Sequence, residues 1–113
     1  MQCGPYSNKK YISGPRYSGK IKIKNMFRFY IGANNDSKIV ETGKITELLY
    51  GLGIEGYTMI HSTGHWHGME EDGVIVEIAG ISKDRALLVA RALKNILCQE
   101  AIGLVEAPEM VLI

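Results

Sequence analysis

Several residue types are scarce in this chain of 113 residues, which has three prolines, one tryptophan and two cysteines. Cys3 and Cys98 lie far apart with no spacing typical of a zinc site, so we expect two reduced thiols. No segment approaches the roughly 18 to 20 consecutive apolar residues of a membrane span, and the N-terminus lacks the apolar core of a signal peptide. These absences favour a cytoplasmic protein without a disulfide framework.

Acidic residues are missing from the first 25 positions, which hold six Lys or Arg among Gly, Ser, Tyr and Pro. Residues 26–113 hold seven Lys or Arg and twelve Asp or Glu. We therefore divide the chain into a basic, flexible arm at 1–25 and one folded domain at 26–113. The arm either contacts nucleic acid or is a disordered leader, unless translation begins at Met26. The acidic domain argues against nucleic acid as its main ligand and is compatible with a cationic one.

Apolar periodicity predicts six elements of secondary structure. A period of two predicts a strand from about 21, best formed at 26–33, and further strands are predicted at 56–66, 74–78 and 101–106. Spacings of three and four predict two helices. Their apolar stripes are Ile45, Leu48, Leu49 and Leu52 in the first, and Ala86, Val89, Ala90, Leu93, Ile96 and Leu97 in the second.

Turn and cap residues predict where these elements end. Asp36 or Ser37 is expected to cap the first helix, which ends in the glycines at 51–53, and Ser82 is expected to cap the second. A hairpin turn is predicted at 67–73, with Gly68 and Gly73 as turn residues.

The order β-α-β-β-α-β predicts an α+β domain of the ferredoxin-like type, a four-stranded antiparallel sheet with both helices on one face. The other face must be covered or solvated, and we expect Tyr30 and Trp66 to make contacts between subunits there.

The stretch HSTGHWHGMEEDG at 61–73 contains all three histidines of the chain. On a strand, His61 and His65 share a face but lie about 13 Å apart, so only His65 and His67 are close enough to share an ion. Hydrogen-bonded, partly exposed histidines are therefore preferred over a metal site, and no metal or other cofactor is predicted.

Three consecutive acids, Glu70, Glu71 and Asp72, follow the histidines. They are either a solvated turn or a negative rim that holds a cationic group or supplies a general base. Positions 45–82 contain no Lys or Arg and no glycine-rich loop with a lysine, which argues against phosphate binding.

Three segments resemble the PII-like superfamily: GYTMIHSTGHWHGMEE, VIVEI, and DRALLVARALKNILCQEAIGLV. The shared elements are G-x-T before a strand, G-x-W-x-G at the hairpin, a carboxylate just after it, and Q-E-A before the last strand. Within the superfamily these segments are most similar to the bacteriophage S-adenosylmethionine lyases, formerly called S-adenosylmethionine hydrolases. The resemblance covers residues 27–106 and does not include the basic arm.

This resemblance implies a homotrimer that cleaves S-adenosylmethionine to 5′-methylthioadenosine and homoserine lactone, in sites between subunits and without a cofactor. The essential glutamate carries over to Glu70, with Glu71 as the fallback. Tyr57 takes the place of the family tyrosine, with His61 as a substitute, although neither aligns cleanly. The substrate-binding residues implied in addition are Glu71, His61, Gln99 and Glu100.

Two other functions stay open at this stage. The first is a non-enzymatic PII-like protein that binds a nucleotide or small effector and regulates a partner. The short acidic hairpin counts against an ATP sensor but not against an adenosine-type ligand. The second is a trimeric metal-binding protein of CutA type, for which His65 and His67 are the only support.

Overall fold

The computed structural model describes residues 21–113, so Cys3 and the arm as far as residue 20 lie outside the described residues. Four strands and two helices occur in the predicted order. They are β1 (Ile21–Gly32), α1 (Thr42–Gly51), β2 (Thr58–Trp66), β3 (Met69–Ile78), α2 (Lys83–Ile96) and β4 (Gly103–Leu112). Within residues 21–113, neither helix is long and apolar enough to cross a membrane.

The four strands form one antiparallel sheet in the order β2-β3-β1-β4. This is the predicted ferredoxin-like arrangement, and the α+β prediction is confirmed. β1 begins at Ile21, within the segment that we assign to the arm, and its first residues pair with the end of β4. β4 extends to Leu112, beyond the predicted end at 106, and includes the apolar C-terminal residues.

The core lies between the helices and one face of the sheet. Alternate residues of the central strands point to that face, and the helices bury the predicted stripes against them. The largest fully buried side chains are Phe27, Phe29, Ile45, Leu49, Val74, Val76, Ile78, Val89 and Leu93. Ile96 is an exception in the second stripe, because it lies 45% exposed at the end of α2.

The caps agree with the sequence at two of the three helix ends for which a cap was predicted. Ser82 accepts a hydrogen bond from Arg85 N at 3.1 Å, and Gly53 takes the left-handed conformation (φ +78) after α1. The expectation that Asp36 or Ser37 begins α1 is wrong. Both residues lie in a turn, where Asn34 Oδ1 accepts their amide hydrogens at 2.8 and 3.0 Å. α1 begins only at Thr42, without a side-chain cap.

The second helix also stabilises the end of the first. Arg85 Nη2 donates a hydrogen bond to the Leu52 carbonyl oxygen, one of the acceptors left without a partner at the C-terminus of α1. A cation at this end is also favoured by the helix dipole. This contact fixes the two helices relative to each other above the sheet.

Two glycines allow a test of the packing. Gly73 pairs with Gly32 in the sheet, and a Cβ atom at Gly73 would lie 2.8 Å from the Ile31 carbonyl oxygen. We expect Gly73→Ala to lower the free energy of unfolding by about 1–3 kcal/mol, because backbone must move to admit the methyl group. Gly43 in α1 has nothing within 4 Å of its Cβ position, so Gly43→Ala should raise that free energy by about 0.5–1 kcal/mol. Urea unfolding at one protein concentration measures both. Equal stability of the Gly73→Ala variant and the wild type would contradict the close approach.

Candidate functional site

The hairpin between β2 and β3 turns on only two residues, His67 and Gly68, both with positive φ (51° and 77°). Two such residues form the type I′ turn that suits the twist of paired strands. The prediction of a turn over 67–73 is therefore wrong. Glu70, Glu71 and Asp72 lie within β3, and Gly73 is a strand residue.

Because successive strand residues point to opposite faces, the three acids do not form one cluster. Glu70 pairs with His65 and Asp72 with Thr63, in register with the residues that face the helices. Glu71 pairs with Gly64 and belongs to the other face, which we call the open face. Which of these acids contacts a ligand therefore depends on the face of the sheet at which the ligand binds.

The open face consists of rows of side chains that run across the strands. One row is apolar and comprises Ile60, Ile75 and Tyr30, with Gly103 beside Tyr30 on β4. Ile60 and Tyr30 are 41% and 45% exposed. This apolar row is uncovered in the single chain.

The row on one side of this apolar row contains an ion pair. Arg28 Nε donates to Glu77 Oε2 at 2.5 Å, and this hydrogen bond raises the pKa of Arg28 above its ordinary value. The guanidinium of the open face is therefore already paired, away from the hairpin.

The row on the other side has almost no side chains. Gly32 and Gly73 are direct partners, and Ser62 pairs with Gly73. Together with Tyr30 and Glu71 they line a depression of about 170 Å³, which we call the glycine depression. A Cβ at Gly32 would lie 3.0 Å from Glu71 Oε1, so a side chain here would occupy the space beside the carboxylate.

Gln99 approaches the same glycine, Gly32. Its Oε1 lies 3.7 Å from the same Cβ position at Gly32, and its Nε2 donates to the Ala33 carbonyl oxygen at 3.3 Å. Gln99 reaches the sheet because the chain turns after α2 through Cys98, which has a left-handed backbone (φ 53). Of the residues implied by the resemblance, Glu71 and Gln99 are distant in sequence, and both approach this one position at Gly32 within 4 Å.

Glu70 has a different neighbour. Its Oε1 lies 3.7 Å from His65 Nε2, and both side chains are about two-thirds exposed (69% and 68%). An exposed pair at this distance is weak. The imidazole of His61 is on the same face but lines another cavity, which lies beside Asp72 and Thr63.

Lys38 is the residue that sequence reasoning missed. It lies on the loop between β1 and α1, and it lines two cavities of about 350 and 430 Å³ against the hairpin. The smaller one also has Trp66, Met69 and all three acids in its wall. The absence of Lys and Arg at 45–82 thus did not make the site free of basic residues. Lys38 reaches the hairpin only because the chain reverses direction after β1, and no sequence motif predicts this position.

Tyr57 and Glu100 lie apart from the acids. Tyr57 packs against the core just before β2, whose first residue pairs with Glu77. Glu77 is seven positions from Glu70, about 23 Å along a strand. Glu100 lines a separate cavity with Arg91 and Lys94. Tyr57 can therefore join Glu70 or Glu71 in one site only if a second chain supplies it.

The described histidines and acids are also too dispersed for a metal cluster. Among residues 21–113, no group of three His, Cys, Asp or Glu side chains could hold a metal ion.

Comparison with known proteins gives matches in structure alone, since no family model and no curated protein matches the sequence. A phage SAM lyase in its apo state aligns with a TM-score of 0.57 and 16% identity over 80% of this chain and 89% of that one. A PII-like signaling protein from Thermus thermophilus aligns with a TM-score of 0.52 and 15% identity over 81% and 91%. CutA from Synechococcus elongatus aligns with a TM-score of 0.53 and 10% identity over 85% and 87%.

These likenesses establish the fold. The chain has the architecture found in the phage SAM lyase, the PII-like protein and CutA, as the sequence resemblance predicted. At 10–16% identity the three proteins do not assign an activity.

Proposed function

We propose that this protein is an S-adenosylmethionine lyase that releases 5′-methylthioadenosine and homoserine lactone. The observation that carries the proposal is the placement of Glu71 at the glycine depression, with Gln99 near the same glycine, Gly32. The fold shared with a phage SAM lyase and the motifs around the hairpin support it.

The reaction needs no group from outside the substrate. A carboxylate oxygen of S-adenosylmethionine attacks the substrate's own γ-carbon and forms the C–O bond of the lactone. The bond between the γ-carbon and sulfur breaks, its electron pair stays on sulfur, and the neutral thioether leaves as 5′-methylthioadenosine. No proton is transferred, so the protein has to fold the methionine tail into the attack geometry, where effective concentration supplies the rate.

This chemistry indicates what Glu71 should hold. The positive charge on sulfur disappears as the bond breaks, so a carboxylate against sulfur would stabilise the substrate more than the transition state. The ammonium group keeps its charge throughout. We therefore place Glu71 against the ammonium group, with Gln99 donating or accepting a hydrogen bond beside it. Glu70 remains the acid favoured by the sequence resemblance, and the two acids are compared by mutation in the Discussion.

We also propose that the site is shared between copies of the chain in a homotrimer. The apolar row Ile60, Ile75 and Tyr30 borders the glycine depression and is uncovered in one chain. Association through it would bury apolar area and enclose the depression. It would also allow Tyr57 of a second copy to reach the acids, which one chain alone does not permit.

The deciding experiment is incubation of the purified protein with S-adenosylmethionine and chromatography of the products. We expect methylthioadenosine and homoserine lactone in equal amounts, at the same rate with and without a chelator. Activity that depends on added metal would favour a protein of CutA type. Intact substrate after prolonged incubation would overturn the proposal.

The alternative is a PII-like regulatory protein, which the structural likeness to a PII-like signaling protein supports. It predicts binding of an adenosine-type ligand without turnover. In either case we propose a cytoplasmic protein, and contact with nucleic acid only through the basic arm.

A further inference from the structure

The 350 Å³ cavity against the hairpin has walls of opposite charge. Its lining includes Lys38 on the loop after β1 and, on β3, Glu71 from the open face and Glu70 and Asp72 from the opposite face. Among the described residues, no carboxylate oxygen lies within 4.0 Å of the Lys38 ammonium group. The cavity separates the two charges, and it leaves room for a ligand between them.

The backbone holds Lys38 in place opposite the acids. Its amide donates to the Asn34 carbonyl oxygen at 2.8 Å, and the Asn34 amide donates to the Ile39 carbonyl oxygen at 3.0 Å. Lys38 itself has a left-handed backbone (φ 63), which a lysine seldom adopts. The direction in which its side chain leaves the loop is thus set by the fold of the loop.

We propose that this cavity recognises the zwitterionic end of an α-amino acid, with Lys38 as the specificity residue for its carboxylate and Glu71, which also lines the glycine depression, for its ammonium group. A purely cationic ligand would satisfy only one wall, and an anionic ligand would be repelled by the other. A free amino acid group carries both charges a few ångströms apart. The inference rests on the proposed function, which identifies the ligand that carries this amino acid group as S-adenosylmethionine.

We expect the contact between Lys38 and the substrate carboxylate to be weak, because this carboxylate is the nucleophile of the reaction. A lysine bound tightly to the substrate carboxylate would reduce its power as the nucleophile. Lys38 is exposed, where solvent limits an ion pair to a small free energy. It can therefore select and orient the carboxylate without withdrawing much of its charge.

The test compares two ligands that differ only in the carboxylate: S-adenosylhomocysteine and decarboxylated S-adenosylhomocysteine. Neither is a sulfonium, so neither is cleaved during equilibrium binding by calorimetry. We expect the wild type to prefer the carboxylate-bearing ligand by roughly fivefold. Lys38→Asn, which tolerates the left-handed backbone, should bind both equally, and Lys38→Arg should keep the preference. Lys44→Gln is the control, because Lys44 is paired with Glu41 at 2.9 Å and lines neither cavity.

The results separate this inference from the proposed function. An equal affinity of the wild type for the two ligands, a preference retained in Lys38→Asn, or no binding of either ligand would each overturn it. If the preference depends on Lys38 but S-adenosylmethionine is not cleaved, the amino acid site stands and the lyase activity fails. In an active enzyme, Lys38→Asn should raise KM by roughly fivefold without lowering kcat.

Discussion

Glu71→Gln is expected to lower kcat/KM for cleavage of S-adenosylmethionine by roughly 10²- to 10³-fold, mainly through a higher KM, because the contact with the ammonium group would be enclosed in the proposed trimer and is kept in the transition state. Glutamine keeps the size and the hydrogen-bonding oxygen of the side chain but removes the negative charge that we assign to the substrate ammonium. The carboxylate lies at the glycine depression beside Gln99, where Gly32 leaves space for a ligand. Initial rates of methylthioadenosine formation measure the effect.

Glu70→Gln is the matched control, because it removes the same charge one position earlier on the opposite face of β3. Its partner is the exposed His65, so we expect kcat/KM to fall only a few-fold, because the substrate loses only the weak attraction of a distant negative charge. A large loss in Glu70→Gln with little change in Glu71→Gln would place the ligand on the helix side and confirm the acid favoured by the resemblance. Urea unfolding of both variants should match the wild type, since both side chains are exposed.

The fold could be predicted from the sequence because its signals are local and repeated. The alternation around Phe27 and Phe29 and the stripe through Val89 and Leu93 report burial directly, and these side chains are fully buried. Ser82 was identified as a cap because a serine just before an apolar helical stripe commonly accepts a hydrogen bond from an amide of the first turn. Asp36 and Ser37 were misassigned because they lie in a turn in which Asn34 Oδ1 accepts their amide hydrogens, and the helix begins only at Thr42.

The site could be predicted only in part, because its geometry depends on turn length and on residues distant in sequence. Reading 67–73 as a turn placed three acids on one rim, whereas a two-residue turn puts them in a strand and separates Glu71 from its neighbours. The contact between Gln99 and Ala33 spans 66 positions, and no local pattern reports it. The same holds for Lys38, whose relevance depends on the loop after β1 folding back over the hairpin.

Ile60→Lys is expected to convert the proposed trimer to monomers at micromolar concentration and to reduce activity by more than tenfold. Ile60 lies in the apolar row of the open face, opposite Ile75 and 41% exposed in one chain. A lysine there is solvated in the monomer but would have to be buried without a partner in the assembly, at a cost of several kcal/mol for each subunit. Light scattering after size-exclusion chromatography measures the mass, and circular dichroism checks that the fold is retained.

Leu88→Lys provides the control, because Leu88 is similarly exposed (48%) but lies on α2, on the other side of the sheet. It should remain trimeric and active.

If Ile60→Lys is a monomer with full activity, the site lies within one chain, and Tyr57 has no part in it because it is too far from the acids. If instead both variants stay trimeric, copies meet through a different surface, and the open face is available to ligand from solvent. Since Glu71 and Gln99 both lie near Gly32 within a single chain, weak residual binding by the monomer would be compatible with the proposal, whereas full turnover would not.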